Sequence, residues 1–236
     1  MRFVSLNIRH GGGTRSPNIL AWLDTQSADL VLLTEWRANT NGLRIKAAIE
    51  DKGYTSVGES GGPSSNGLLI ASNGPFTTLN LTPVNSPKGE ILAADLDDGL
   101  RILCCYFPGL EAKKPFFDVC LEQAITSATP LLIVGDLNTG RNDVDLEEGA
   151  AKFFCSDQFI ELTNRAEMTD LWRHSNGSTA REWTWRSPKN GFRLDHAFGN
   201  RALISSYSSL RCRYDHSTRE SGLTDHSAIV LDFDAR

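Results

Sequence analysis

The chain has no apolar run long enough to cross a membrane. The longest uninterrupted runs, such as Leu30 to Leu33 and Leu131 to Val134, fall far short of the ~20 residues that a spanning helix needs. It also has no excess of positive charge. Of 236 residues, 24 are Lys or Arg and 29 are Asp or Glu, a net charge of −5. That balance excludes a histone-like coat for nucleic acid but leaves room for a local basic groove. Cysteine is sparse and unpatterned. Cys104, Cys105, Cys120, Cys155 and Cys212 are odd in number and contain no Cys-x-x-Cys pair, so a disulfide scaffold and a zinc cluster are set aside in favour of reduced thiols. Met1 to Leu6 turns polar too early for a signal peptide. There is no repeat, low-complexity tract or Ser/Gly-rich linker, and the loosest stretch, Gly58 to Asn66, reads as a loop between two strands. The expectation is a soluble, cytoplasmic protein with one domain over residues 1–236. It has enough apolar residues for a substantial core, and a monomer is the default state.

What is present is an alternation of buried strands and helices. Phe3 to Ile8 alternates as a strand does, Pro17 to Thr25 carries a helical stripe, and Leu30 to Thr34 reads as a strand covered on both faces. A helix follows over Leu43 to Asp51. Short strands are expected over Gly67–Ala71, Phe76–Leu81, Ile91–Leu96 and Leu100–Tyr106, then a helix over Pro115–Ser127 and a buried strand over Leu131–Val134. Further strands are expected near Glu182–Trp185, Arg193–Phe198 and Ala228–Phe233. Two sheets packed face to face with helices outside satisfy that order.

Acidic residues sit just past the ends of buried runs. Glu35 follows Leu30 to Thr34, Asp136 follows Leu131 to Gly135 with Asn138 two residues on, and Asp195 lies in Phe192 to His196. Asp225 and His226 precede Ser227 to Val230, and Asn7 closes the first strand. Singly, each is an ordinary turn residue. Five elements ending in Asn, Glu, Asp/Asn, Asp and Asp-His are better read as one crevice fed by strand ends. Carboxylate and amide oxygens suit Mg2+ or Mn2+, and a histidine beside aspartates suits metal-assisted phosphodiester cleavage.

Six segments in order, Ser5-Leu6-Asn7-Ile8, Leu33-Thr34-Glu35, Asn66 to Ile70, Gly135-Asp136-Leu137-Asn138, Phe192 to Asp195 and Leu223 to His226, resemble the endonuclease/exonuclease/phosphatase superfamily. The resemblance implies a four-layered α/β sandwich, two mixed sheets flanked by helices, with the site at one edge. It implies Glu35 as the principal ligand of Mg2+ or Mn2+, aided by Asn7, with Asp225 beside the metal. It further implies that Asp136 orients or deprotonates the attacking water, that Asn138 holds the scissile phosphate, and that Asp195 pairs with His226 on a phosphate oxygen.

Cys105-Tyr106-Phe107-Pro108-Gly109 resembles the tyrosine motif of the exonuclease III and abasic-endonuclease branch, with Tyr106 at the phosphate. Asn142 to Asp145 and the segment from Thr169 to Trp185 resemble the same branch. There, Trp185 and Phe192 would line a pocket for a flipped-out abasic sugar. The departures lie near the first motif. Arg9, followed by His10 and Gly11-Gly12-Gly13, stands where the repair enzymes carry a second metal-side acid, so Arg9 becomes a phosphate-binding candidate. Arg37 resembles a backbone-binding arginine of the deoxyribonuclease branch. Arg9, Arg15, Arg37, Lys113, Lys114, Arg141, Arg181, Arg186, Lys189 and Arg193 are expected near the mouth, with Arg9, Arg37 and Arg141 chosen as phosphate ligands. His10, His174, His196 and His216 are read as structural or surface residues. The implied activity is a metal-dependent DNA nuclease, a 3′-exonuclease or abasic endonuclease. The alternatives are a phosphoesterase on a small phosphoester or phospholipid headgroup, or an RNA nuclease, with a non-catalytic binding protein last.

Overall fold

A computed structural model describes every residue except Asn85, Pro87 and Arg236. Two six-stranded sheets face each other. The first runs β13-β14-β1-β2-β4-β3, from β1 (Arg2–Asn7), β2 (Leu30–Trp36), β3 (Ser56–Glu59), β4 (Gly67–Ser72), β13 (Tyr207–Asp215) and β14 (Ala228–Ala235). The second runs β5-β6-β7-β8-β12-β9, from β5 (Phe76–Asn80), β6 (Glu90–Leu96), β7 (Arg101–Tyr106), β8 (Leu131–Asp136), β9 (Thr169–Asp170) and β12 (Asp195–Gly199). β1 and β2 are parallel, as are β7 and β8. The other ladders are antiparallel, including a separate pair of β10 (Trp185–Arg186) with β11 (Gly191–Phe192).

The two-residue side-chain period divides each central strand between two apolar layers. Phe3, Leu30, Leu32, Leu68 and Ile70 meet Leu92, Ile102, Cys104, Leu132 and Val134 between the sheets. Their neighbours Val4, Leu6, Val31 and Leu33 turn outward onto Ile19 and Leu23 of α1 (Ser16–Gln26) and Ile45 and Ile49 of α2 (Thr40–Asp51). On the far side, Leu103, Leu131 and Ile133 pack under α3 (Lys114–Thr126) and α4 (Ser156–Asn164). The helix–sheet–sheet–helix sandwich expected from the sequence is thus the fold. Among the described residues, no helix is long and apolar enough to cross a membrane.

Several boundaries differ for local reasons. α2 starts at Thr40, ahead of its apolar stripe, because the Asn39 side chain accepts from the N–H groups of Asn41 and Gly42. The strand expected over Glu182–Trp185 shortens to β10. The one expected from Arg193 starts at Asp195, because Arg193 leaves the ladder to be buried. α4, α5 (Leu171–Asn176), α6 (Arg201–Ser206), α7 (Ser217–Glu220), β9 and β13 lie outside the expected elements, and β3, the strand expected before the Gly58–Asn66 loop, runs into that loop as far as Glu59. Edge strand β13 pairs on one side only, and much of Tyr207–Asp215 faces solvent, so it carries little apolar alternation.

Arg193 corrects one expectation. It is not at a mouth but fully buried, and its guanidinium bonds Asp145 at 2.7 Å and pairs with Asp170. Arg173, also buried, pairs with Asp145 as well. Tyr214 accepts from Arg193 at 3.2 Å and donates to the Asp195 carbonyl at 2.8 Å. Arg193→Met leaves two buried carboxylates with only Arg173 to compensate them, so unfolding should lose about 3–5 kcal/mol. Denaturant titration should show that loss, while Arg186→Met, which breaks the exposed pair with Glu147, should cost under about 1 kcal/mol.

Candidate active site

Every chemistry-bearing strand end lies at one edge of the sandwich. The register sets Asn7 beside Thr34, Tyr106 beside Asp136, and Asp195 opposite Asp136. Glu35 has a positive φ of 58°, and the ladder shifts between Thr34 and Trp36. It is a bulge residue, re-aimed out of the strand's alternation as bulges beside active sites often are. Its Oε1 accepts from Asn7 Nδ2 at 3.1 Å, and the same nitrogen donates to Asp136 Oδ2 at 3.0 Å. One amide therefore links a carboxylate of each sheet. Thr224 Oγ1 donates to the Asn7 carbonyl at 2.7 Å and fixes the end of β1.

Asp136 is buried, and its Oδ1 accepts the Asn138 backbone N–H at 2.9 Å. Asn138 directs its amide to the Phe107 carbonyl at 2.8 Å and to Asp136 at 3.4 Å. Lys113, expected as a mouth residue, is instead buried and donates to the Asn138 carbonyl. Burial lowers its pKa to about 8. Burial likewise pushes the Asp136 carboxyl up to about 7; His226 opposes the rise and Asp195 adds to it. Asp195 Oδ2 accepts from His226 Nδ1 at 2.8 Å. Burial works against charge on His226, but Asp195 and Asp136 outweigh it and raise its pKa to about 10.

Asp136, Asp195 and His226 place ligand atoms within 4.8 Å of one another, but this trio is a poor metal cage because His226 Nδ1 is committed to Asp195. The better oxygen donors for Mg2+ or Mn2+ are the Glu35 carboxylate and the Asn7 amide oxygen, which also accepts the Arg9 N–H at 2.9 Å, hard ligands that fit such an ion.

The other predicted residues divide into two groups. Tyr106 Oη accepts from Asn66 Nδ2 at 3.1 Å, and burial raises its pKa. Arg37 Nε donates to Asn66 Oδ1 at 2.7 Å. Tyr106, Arg37, Asn66 and His10 share a cavity of about 490 Å3 with Lys88 and Glu90. Asp225 takes the Trp185 indole N–H at 3.3 Å and lies 3.7 Å from Arg9 Nε. Phe192 lies against Trp185, with ring centroids 5.9 Å apart. Arg141 is not brought to this edge group: its guanidinium bonds Asp143 and the Ser178 carbonyl.

His196 is the structural residue expected. It is buried, with Nε2 at the Thr139 and Arg193 carbonyls, and burial lowers its pKa to about 4. His10 is exposed, as a surface reading expects, yet its backbone N–H donates to Glu35 Oε2 at 2.9 Å. Arg9, His10, Gly11, Gly12 and Gly13 all have positive φ, a left-handed turn that costs non-glycine residues about 1–2 kcal/mol each. Sequence reasoning names Asn66, Thr224 and His10 but gives them no role in the site, and it places Lys113 only at the mouth. The run of three glycines after His10 was a visible sign of the unusual turn.

Paired sheets with carboxylates, amides and a His–Asp couple gathered at one edge define a hydrolase of phosphoesters. The chain belongs to the Endonuclease/Exonuclease/phosphatase family, whose model matches residues 4–226. It is similar in fold to the 3′ phosphatase NExo from Neisseria bound to product DNA hairpin, at 21% identity and TM-score 0.82 over 99% of each chain. It is also similar to the 3′-5′ exonuclease NExo from Neisseria meningitidis, at 21% identity and TM-score 0.79 over 99% of this chain and 100% of that one. An AP endonuclease from Archaeoglobus fulgidus matches at 18% identity and TM-score 0.75 over 100% of both chains.

His226 should remain an imidazolium through neutral pH and lose its proton only as pH rises towards about 10. In 15N NMR, Asp195→Asn should bring that titration down to the neutral range, because the compensating carboxylate is gone. An unchanged titration would refute the pairing as its cause.

Proposed function

We propose that the protein is a divalent-metal-dependent DNA nuclease, acting as a 3′-exonuclease or abasic-site endonuclease. The observation that carries this reading is Asp136. It is a buried carboxyl with one oxygen held by a backbone N–H, its pKa pushed to about 7, and it faces the His226–Asp195 couple. A base poised near neutral pH is matched to taking a proton from water.

When bound, Mg2+ or Mn2+ would neutralise charge on the scissile phosphate and its leaving oxygen. Glu35 and Asn7 would hold it, with Asp225 beside the site. Asp136 orients the attacking water and accepts its proton. Asn138 fixes Asp136 through its backbone and offers its amide to the phosphate. His226, charged and held by Asp195, uses its Nε2–H to stabilise a phosphate oxygen. Tyr106 lies on the Arg37 side of the centre, ready to meet the phosphate or the leaving group. Arg9 and Arg37 supply positive charge along the strand, and Trp185 with Phe192 offers an aromatic wall for a displaced sugar or base. The DNA preference draws support from the similarity to NExo bound to a DNA hairpin product and to an AP endonuclease.

The test uses end-labelled duplexes, one intact, one with a single abasic site and one with a 3′-phosphate, alongside a single strand. Each is incubated with Mg2+, Mn2+ or EDTA. Metal-dependent cleavage is expected, and Asp136→Asn or His226→Ala should lower it by at least about 1,000-fold while circular dichroism stays native. Near-normal activity in either variant would overturn the roles. Inertness of the wild type on every DNA would move the substrate to RNA or small phosphoesters.

A further inference from the structure

The left-handed turn after β1 has a consequence for the metal. Strained backbone persists where its surroundings hold it in place. Here the Gly11 N–H donates to the Glu35 carbonyl at 2.7 Å, the His10 N–H to Glu35 Oε2 at 2.9 Å, and the Arg15 guanidinium to the Arg9 carbonyl at 2.7 Å. The outcome is that the His10 ring lies on the Glu35 carboxylate, with Nδ1 3.0 Å from Oε2. The same nitrogen is 2.9 Å from an Arg37 terminal nitrogen. A guanidinium can only donate and a carboxylate can only accept, so one ring nitrogen cannot satisfy both. With Arg37 donating, Nδ1 and Oε2 turn lone pairs towards each other, an arrangement that a cation between them would make favourable.

We propose that His10 is a further ligand of the divalent ion held by Glu35 and Asn7, and that its imidazole moves the site's preference from Mg2+ towards Mn2+. This rests on the metal-dependent reading given above. Neighbouring ligands of an octahedral ion at about 2.1 Å lie about 3.0 Å apart, which is the separation of His10 Nδ1 and Glu35 Oε2. Arg9 cannot ligate, since a guanidinium has no lone pair to offer, whereas the His10 Nδ1 already lies on Glu35 Oε2. Imidazole suits first-row transition metals, whereas Mg2+ takes oxygen almost alone. Ligation by Nδ1 also releases the Arg37 terminal nitrogen, still anchored through Nε on Asn66, for a substrate phosphate in the adjoining cavity.

The experiment is pulsed electron paramagnetic resonance of Mn2+ bound to the whole protein without substrate. Wild type should show modulation from a directly bonded 14N, and 15N-histidine labelling should convert it without any substitution. His10→Gln should remove it and weaken Mn2+ binding about tenfold, with a smaller effect on Mg2+ in competition. His174→Gln, altering an exposed histidine on α5, should leave the modulation intact. Bound Mn2+ without a 14N coupling, a coupling that survives His10→Gln, or no Mn2+ binding would each overturn the assignment. A wild type that shows the histidine coupling yet cleaves no DNA would instead defeat the nuclease reading and leave His10 as a ligand.

Discussion

The rest of the site depends on the side-chain nitrogen of Asn7, which donates to Glu35 on its own sheet and to Asp136 on the facing one. Such a bridge exists only while the two sheets remain packed through the layer that Phe3, Leu32, Ile102 and Val134 share. It also depends on register. A one-residue slip of β1 would exchange its inward and outward faces, so that Asn7 would turn away from both carboxylates. The apolar layer and the polar centre are therefore parts of one constraint, with the apolar part driving the packing and the amide fixing the alignment at the edge.

Two buried charge systems lie close together and do opposite things. Around Arg193, two guanidiniums face Asp145 and Asp170, and the aspartate pKa values fall because arginine outweighs burial. That set is internally compensated, and it braces the loop after β8 and the start of β12. At the centre, burial raises the Asp136 pKa, the Asp195 and Glu35 carboxylates add to the rise, and the one charged histidine only opposes it. A carboxyl left undercompensated in a buried position is a poor stabiliser. It is suited to accept a proton or share a cation, and the contrast separates the scaffold from the site on physical grounds.

Much of the fold was legible because burial leaves a period in the sequence. Leu30 to Leu33 and Leu131 to Val134 are apolar throughout because both their faces are covered, and α3 repeats its apolar residues at Phe116, Phe117, Cys120, Leu121 and Ala124. Short or one-sided elements left no such trace. β9 has two residues, and β13 is an edge strand facing water along much of its length. The centre was legible for a different reason: Asn7, Glu35, Asp136, Asp195 and His226 each stand at a strand boundary, where a polar residue interrupts an apolar run.

By itself, then, the sequence determined which strands were buried, which polar residues ended them, and the motif order that marks the family. The tertiary structure decided which charges face solvent and which face one another. Arg193 and Lys113 read as surface cations and lie buried; Arg141 read as a phosphate ligand and bonds Asp143. His10, read as a structural or surface residue, is exposed but rests on Glu35 through a turn in which five successive residues have positive φ. The physical reason is range. Periodicity and capping act over a few neighbours, whereas the partner of a buried charge stands tens of residues away, 48 between Arg193 and Asp145 and 129 between Asn7 and Asp136, and is chosen only when the sheets close.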